Sequence, residues 1–256
     1  MNSRASSHCA QTSANLPIVP LVLLPNAFGD AATNMAIDAS LLDALPPGIA
    51  VFRHYGWTEP AITFGYTQRL AEVQAACPDG LRLCRRLTGG GIVDHRNDWT
   101  YCLALEAELA AAQMPATDLY ATVHSCIREA LAAQSIPSQL APCPRHCGEP
   151  PAVHEGPEQC FVQPTANDVV HANGTKIAGA AMKRTRRGLL IQGSIDRGAL
   201  PDDFNDTQFA DTFQQALSRA LTIPIGTAED LRTLFDGRRI QTERQRFASE
   251  AWHNKR

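Results

Sequence analysis

The chain has 256 residues, enough for one large domain or two small ones. Its 44% hydrophobic and 19% charged residues are ordinary for a globular protein. A net charge of −3 argues against a broad basic nucleic-acid surface, and no apolar run approaches the ~20 residues of a membrane span.

Residues 1–15 lack an apolar core, so they read as a disordered leader and not an export signal, with the cytoplasm as default location. Residues 16–256 read as one domain. "LPIVPLVLLPN" predicts a short strand. "GDAATNMAIDASLLDAL" has helix spacing, with Met35, Asp38–Ala39 and Leu42 one turn apart. Asp30 or Thr33 is placed to cap it, and Pro46–Pro47 stops it. "IAVFRHYGW" and "AITFGYT" predict two strands around the turn "TEP". "LRLCRRLTGGG" predicts a strand running into a glycine loop, and "TYCLALE" the next strand. "ATDLYATVHSCIREALAAQSI" predicts an amphipathic helix with Leu119, Val123, Cys126, Ile127 and Leu131 on one face.

Residues 138–160 are rich in proline and glycine and read as a long irregular loop. Strands return at "CFVQ", at "NDVVHANGTKIAGAAMKRT" and at "RGLLIQGSI". Asn173–Gly174 marks a hairpin turn with positive φ angles. A helical tail is expected over 204–256, in the segments "TQFADTFQQALSRAL", "TAEDLRTLFDG" and "TERQRFASEAWHN". Adjacent strands with flanking helices predict an α+β fold with a mixed, mostly antiparallel sheet.

The eight cysteines are Cys9, Cys77, Cys84, Cys102, Cys126, Cys143, Cys147 and Cys160. A chain of this size needs no disulfide staples, so reduced thiols are expected. Cys84, Cys102 and Cys126 sit in apolar patterns and are expected to pack as small hydrophobes.

Two clusters carry chemistry. In "RRLTGGGIVDH", Gly89, Gly90 and Gly91 let a ligand approach backbone N–H groups, and Arg85 or Arg86 can fork onto a phosphate or carboxylate. The Walker and Rossmann spacings are both absent, and a structural bend is the plainer alternative. In "NDVVHANGTKIAGAAMKR", Lys176 stands in an apolar strand before a run of small residues. It is either an edge-strand lysine facing water or a cation placed for a ligand.

Five pieces together, "NMAIDASLL", "ITFGYTQ", "RRLTGGGIVDH", "NDVVHANGTKIAGAAMKR" and "GLLIQGSI", resemble the lipoate–protein ligase and octanoyltransferase family, which is related to biotin–protein ligases. The resemblance covers nearly the whole chain. It implies a single catalytic domain over 16–256, with a curved sheet around a tunnel. It further implies that Arg85, Arg86, Gly89, Gly90, Gly91 and His95 line an acyl or acyl-adenylate site. Lys176 would contact the acyl carbonyl and phosphate oxygens. Asn167 and Asp168 would face the nucleotide, with Asp168 able to hold magnesium. Gly179, Ala180 and Ala181 would leave room for an eight-carbon chain. Two departures stand out. His95 is followed by Arg96 where the family often has aspartate, and Gln192 stands where a histidine often does. The extra C-terminal domain of many lipoate ligases has no counterpart, for which a separate accessory subunit could substitute.

The resemblance implies attachment of a lipoyl or octanoyl group to a lysine of a lipoyl-domain protein or the glycine-cleavage H protein. The first reading is a ligase that uses ATP and magnesium through an acyl-adenylate. The alternative is an octanoyltransferase with no cofactor, in which Cys160 of "CFVQPT" is the nucleophile and an octanoyl carrier protein the donor. A non-catalytic lipoyl-domain binder is a third reading. Separately, Cys143, His146, Cys147, His154 and Cys160 could form a zinc site, or the prolines between them could simply stiffen a loop.

Overall fold

The computed structural model describes residues 20–142, 164–227 and 234–255. The expected α+β fold is present, with the strands divided between two sheets.

The large sheet is built on three long strands: Ala50–Trp57 (β3), Asp98–Glu106 (β7) and Gly188–Asp196 (β11). β3 pairs antiparallel with β7, and β7 with β11. Lys176–Arg184 (β10) continues this antiparallel run, followed by Val169–Val170 (β9) and Gln139–Leu140 (β8). On the other flank, Leu21–Leu23 (β1) and Ala27–Gly29 (β2) pair parallel with β3, and Ile225–Gly226 (β12) pairs parallel with β1. The small sheet has Ala61–Phe64 (β4) at its centre. It is parallel to Arg82–Arg85 (β5) and antiparallel to Ile92–Asp94 (β6).

Side chains of a strand alternate between sheet faces, and here both faces are covered. In β7, Trp99, Tyr101, Leu103 and Leu105 enter one core, whereas Cys102 and Ala104 enter the other. The first core lies beneath Ala116–Ala132 (α4) and Asp206–Leu221 (α5), which supply Leu119, Val123, Ile127, Phe209 and Phe213. The second lies beneath Ala31–Ala44 (α1) and Gly237–Ala248 (α6). The short helices Leu70–Ala76 (α2), Ala110–Gln113 (α3) and Glu250–His253 (α7) complete the helical elements.

Local signals explain the boundaries. Asp30 caps α1 by accepting from the Thr33 N–H at 2.7 Å. Asn205 and Asp236 cap α5 and α6 in the same manner. Of the two turn residues expected at positive φ, only Gly174 has it, at 88°. The His171 N–H donates to the Thr175 carbonyl at 2.8 Å, leaving a three-residue loop between β9 and β10 that needs one left-handed position, not two. The irregular stretch expected over 138–160 is interrupted at its start, where β8 pairs with β9, and its remainder from 143 lies outside the described residues. The strand expected at "CFVQ" lies outside the described residues, and so does most of the helix expected over 227–237. Cys84, Cys102 and Cys126 are buried free thiols, as expected. No helix among the described residues is long and apolar enough to cross a membrane.

Candidate active site

Lys176 faces neither water nor the core beneath the sheet. A β-bulge interrupts β10 between Lys176 and Ala178. Ile177 and Ala178 both join the core under α4 and α5. The extra residue turns Lys176 to the opposite face, where its side chain lies over Gly179. A Cβ on Gly179 would stand 2.7 Å from both Cε and Nζ of Lys176. Glycine is therefore what allows the lysine to lie flat on the strand.

The Lys176 ammonium, 5% exposed, sits 2.7 Å from Oδ2 of the fully buried Asp168. Asp168 also accepts from the Thr165 backbone N–H at 2.6 Å, the Thr165 hydroxyl at 3.0 Å and the Tyr120 hydroxyl. Four donors thus share one carboxylate. Burying a charge is costly unless it is paired and hydrogen-bonded in this way. Asn167, just before it, is left-handed at φ 68°.

The glycine loop joins β5 to β6. Its two arginines diverge, since neighbouring strand residues point to opposite sides. Arg85, fully buried, donates to the carbonyls of Tyr66, Gln68 and His253 at 2.6–2.7 Å and stacks over Phe64. It is a strut to α7. Arg86 turns into the loop and donates to the carbonyls of Gly89 at 2.7 Å and Gly91 at 2.8 Å, and to Thr63 Oγ1 at 3.2 Å. The loop is therefore wrapped around its own arginine. Gly90 has φ 83°, and its carbonyl packs so closely on Gly65 that a Cβ there would lie 1.8 Å from the oxygen. Gly89 faces open space.

His95 is held from both ring nitrogens. Nδ1 lies 2.7 Å from Asp98 Oδ2, and Nε2 lies 2.8 Å from the Thr63 hydroxyl. The ring stacks on Trp57 at 4.0 Å. Asp98 also accepts from the hydroxyls of Thr100 and Ser194. His95 lines a narrow pocket between the two sheets together with Met35, Tyr55, Thr63, Arg86 and Gln192.

The β10–β11 register joins the two clusters. Gly179 pairs with Ser194, Ala180 with Gly193 and Ala181 with Gln192, so the small residues lie beside the strand that forms the pocket wall. Gln192 accepts from the Thr88 hydroxyl at 2.8 Å and donates to Asp38 at 2.8 Å. It ties the glycine loop to α1 in the position where a histidine was expected. Asp38 also accepts from Arg53 at 2.7 Å and Tyr55 at 2.9 Å, and Arg53 donates to Asn34 Oδ1 at 2.7 Å. Burial raises the Tyr55 hydroxyl well above its ordinary pKa, so it stays a donor.

Sequence reasoning missed Asn34, Arg53, Thr63, Thr88 and Asp98. One signal was legible: Asp38 falls on the apolar stripe of α1 beside Met35 and Leu42, where an acid needs a buried partner. Cys160 and the cluster Cys143, His146, Cys147 and His154 lie outside the described residues. Among the described residues, no group of three or more His, Cys, Asp or Glu side chains could hold a metal ion. Arg85, Arg86 and Lys176 each bond to protein oxygens, and Asp168 accepts from four protein donors.

Comparison with known proteins identifies the family. A family model, the lipoyl protein ligase A/B catalytic domain, matches residues 30–217. The chain is 30% identical over 199 residues to the octanoyltransferase LipM of Oceanobacillus iheyensis, covering 75% of this chain and 67% of that protein. It is 32% identical over 182 residues to LipM of Geobacillus kaustophilus, covering 67% of this chain and 63% of that protein. The alignments thus span about two-thirds of these relatives. In fold it is similar to lipoate-protein ligase A bound with ATP, with TM-score 0.69 and 17% identity over 91% of this chain and 98% of that one. It is equally similar to a bi-partite lipoate protein ligase from Thermoplasma acidophilum, solved in a study of that ligase and its E2 lipoyl domain. Here the TM-score is 0.69 at 16% identity, over 92% of this chain and 96% of that one. The match over 30–217 places the glycine loop, Lys176 and the strands between them inside one enzyme family, and this chain belongs to the lipoyl protein ligase A/B catalytic-domain family.

Proposed function

We propose that this protein transfers an octanoyl group from a carrier-protein thioester to a lysine of a lipoyl-domain protein or glycine-cleavage H protein, through a thioester on Cys160. The ATP-dependent ligase is the second reading. The observation that carries the choice is the similarity to the LipM octanoyltransferases, at 30% and 32% identity.

The chemistry is balanced by this chain's residues. The Cys160 thiolate adds to the donor carbonyl, the carbon–sulfur bond of the donor breaks, and the donor leaves as a thiolate that takes a proton from solvent. The neutral acceptor amine then adds to the enzyme thioester, Cys160 leaves as thiolate, and the amine proton passes to solvent. Each addition places negative charge on the carbonyl oxygen. Lys176 has three N–H donors, of which Asp168 takes one, so the ammonium retains donors for that oxygen. Five peptide units tether Cys160 to Thr165, whose N–H and hydroxyl bind Asp168, which limits their separation to about 18 Å. The acyl chain lies along Gly179–Ala181 towards the His95 pocket, gaining about 0.8 kcal/mol per buried methylene. A reduced cytosol suits a free thiolate nucleophile.

The test is mass spectrometry of a lipoyl domain after incubation with octanoyl carrier protein, or with octanoate or lipoate plus ATP. The expected result is ATP-independent modification, an octanoyl mass on the intact enzyme, and loss of both in Cys160→Ala. Modification that requires ATP and persists in Cys160→Ala would establish the ligase. Acceptor binding with no modification by either route would establish a non-catalytic binder.

A further inference from the structure

Two side chains on α4 that belong to no sequence motif reach the Asn167–Asp168 turn. Tyr120 and His124 stand one helical turn apart, on one face, with their rings 4.1 Å apart. Each grips one residue of the turn. His124 Nδ1 lies 2.6 Å from the Asn167 carbonyl oxygen. A carbonyl only accepts, so the hydrogen is on Nδ1. The ring is fully buried, and burial pushes its pKa down to about 4, which keeps it neutral at working pH. Its contact fixes the carbonyl of a residue in the left-handed region, where a side-chain-bearing residue needs support. The Tyr120 hydroxyl donates to Asp168 Oδ1 and accepts the Ala180 N–H at 3.0 Å. One oxygen therefore bridges the counterion of Lys176 and the strand that carries Lys176.

The helix beneath is rigidly placed. Leu119, Val123 and Ile127, interleaved with these two residues, are all buried in the core under the large sheet. Its position is thus transmitted through two polar contacts to the turn, and through Asp168 to the ammonium. A phenylalanine would fill the same space as Tyr120. It would lack the hydroxyl, which is the donor to Asp168 Oδ1.

We propose that Tyr120 and His124 are positioning residues for Lys176. They set the Asn167–Asp168 turn so that the Asp168 carboxylate receives the ammonium and holds it on the pocket face of β10. The proposal rests on the reading that Lys176 serves the acyl carbonyl. Without the clamp the carboxylate turns, the ammonium follows, and the reacting geometry is lost while substrate binding is not. A displacement of this kind costs about 10- to 100-fold in turnover.

The experiment uses the full chain in the acyl-transfer assay, with thermal unfolding recorded for every variant. Lys176→Ala is the control for the underlying reading. If it turns over normally, Lys176 has no role at the carbonyl and the proposal falls with that reading. If it is inactive, the clamp is tested separately. Tyr120→Phe is expected to lower kcat about 10-fold or more with KM for the donor within about twofold. His124→Leu is expected to behave alike. His124→Asn, which restores an N–H near the place of Nδ1, is expected to recover most of the loss. Tyr120→Phe combined with Asp168→Asn should be no slower than the slower single variant, because both act along one path. Wild-type kcat in a folded Tyr120→Phe protein would overturn the proposal while leaving Lys176 in place. So would equal rates for His124→Leu and His124→Asn, or multiplicative losses in the double variant.

Discussion

At the residue scale, Lys176 owes its place to one extra residue in a strand. In an uninterrupted strand it would share a face with Ala178 and enter the core, where an ammonium is untenable without a partner. The bulge sends it across, Gly179 clears the surface, and Asp168 supplies the counterion. This makes Gly179 a sharp probe. In Gly179→Ala the new Cβ would overlap Cε and Nζ of Lys176 and come within 3.2 Å of Asp168 Oδ1. The end of a lysine is flexible, so the fold should yield little. Unfolding midpoints are expected to stay close to wild type while kcat falls about 10- to 100-fold. Full activity in Gly179→Ala would mean that the ammonium works from another position. Lys176, Asp168 and the small residues were legible as a pattern, because lysine before a small-residue run is unusual in an apolar strand. Tyr120 was not, because its position on α4 reads as a partly exposed helix residue until the sheet is folded over it.

At the element scale, α1 and the glycine loop are coupled through buried polar side chains. Asn34 and Asp38, one turn apart on α1, receive Arg53 from β3, and Asp38 also receives Gln192 from β11. Gln192 in turn receives Thr88 from the loop. Every member is buried, so removing one leaves the others unpaired in a low dielectric. Asp38→Ala is expected to destabilise the protein by about 3–5 kcal/mol, because the Arg53 guanidinium would be left buried without its carboxylate. Asp38→Leu combined with Arg53→Met is expected to cost less than that single change. Urea unfolding of the three proteins checks this, and a milder effect of Asp38→Ala than of the pair would disprove the dependence. The loop itself was recognised from its three glycines. Their use differs, however: Gly90 takes a positive φ, whereas Gly89 and Gly91 offer their carbonyls to Arg86 and Gly89 also leaves space. Adjacent letters with one composition cannot reveal these separate roles.

At the scale of the whole molecule, the end of the chain braces the site. Phe247 and Trp252 join the core around α1. The Trp252 indole N–H donates to the Arg85 carbonyl at 2.8 Å, and Arg85 donates back to the His253 carbonyl at 2.7 Å. The helical tail is therefore a wall of the small sheet. Deleting residues 249–256 is expected to lower the unfolding temperature by several degrees, because it uncovers Trp252's share of the core and leaves the buried Arg85 without one carbonyl partner. Acyl transfer should weaken with it, as Arg85 leads directly into Arg86 and the loop. A truncated protein with unchanged unfolding temperature and rate would show the tail to be dispensable.

The sequence by itself determined the helix and strand character of most described segments, the α+β class and the two stretches that meet at the site. These rest on local physics: apolar period, capping residues, and glycine where backbone must approach or bend. Tertiary structure alone decided which charge meets which. Arg85 and Arg86 are neighbours in sequence, yet opposite strand faces send one to α7 and the other into the loop. Asp168, expected beside a nucleotide, pairs with a lysine eight residues on and accepts from a tyrosine 48 residues before it. A buried ion's role is set by the donors that surround it, and those donors come from strands and helices brought together only by folding.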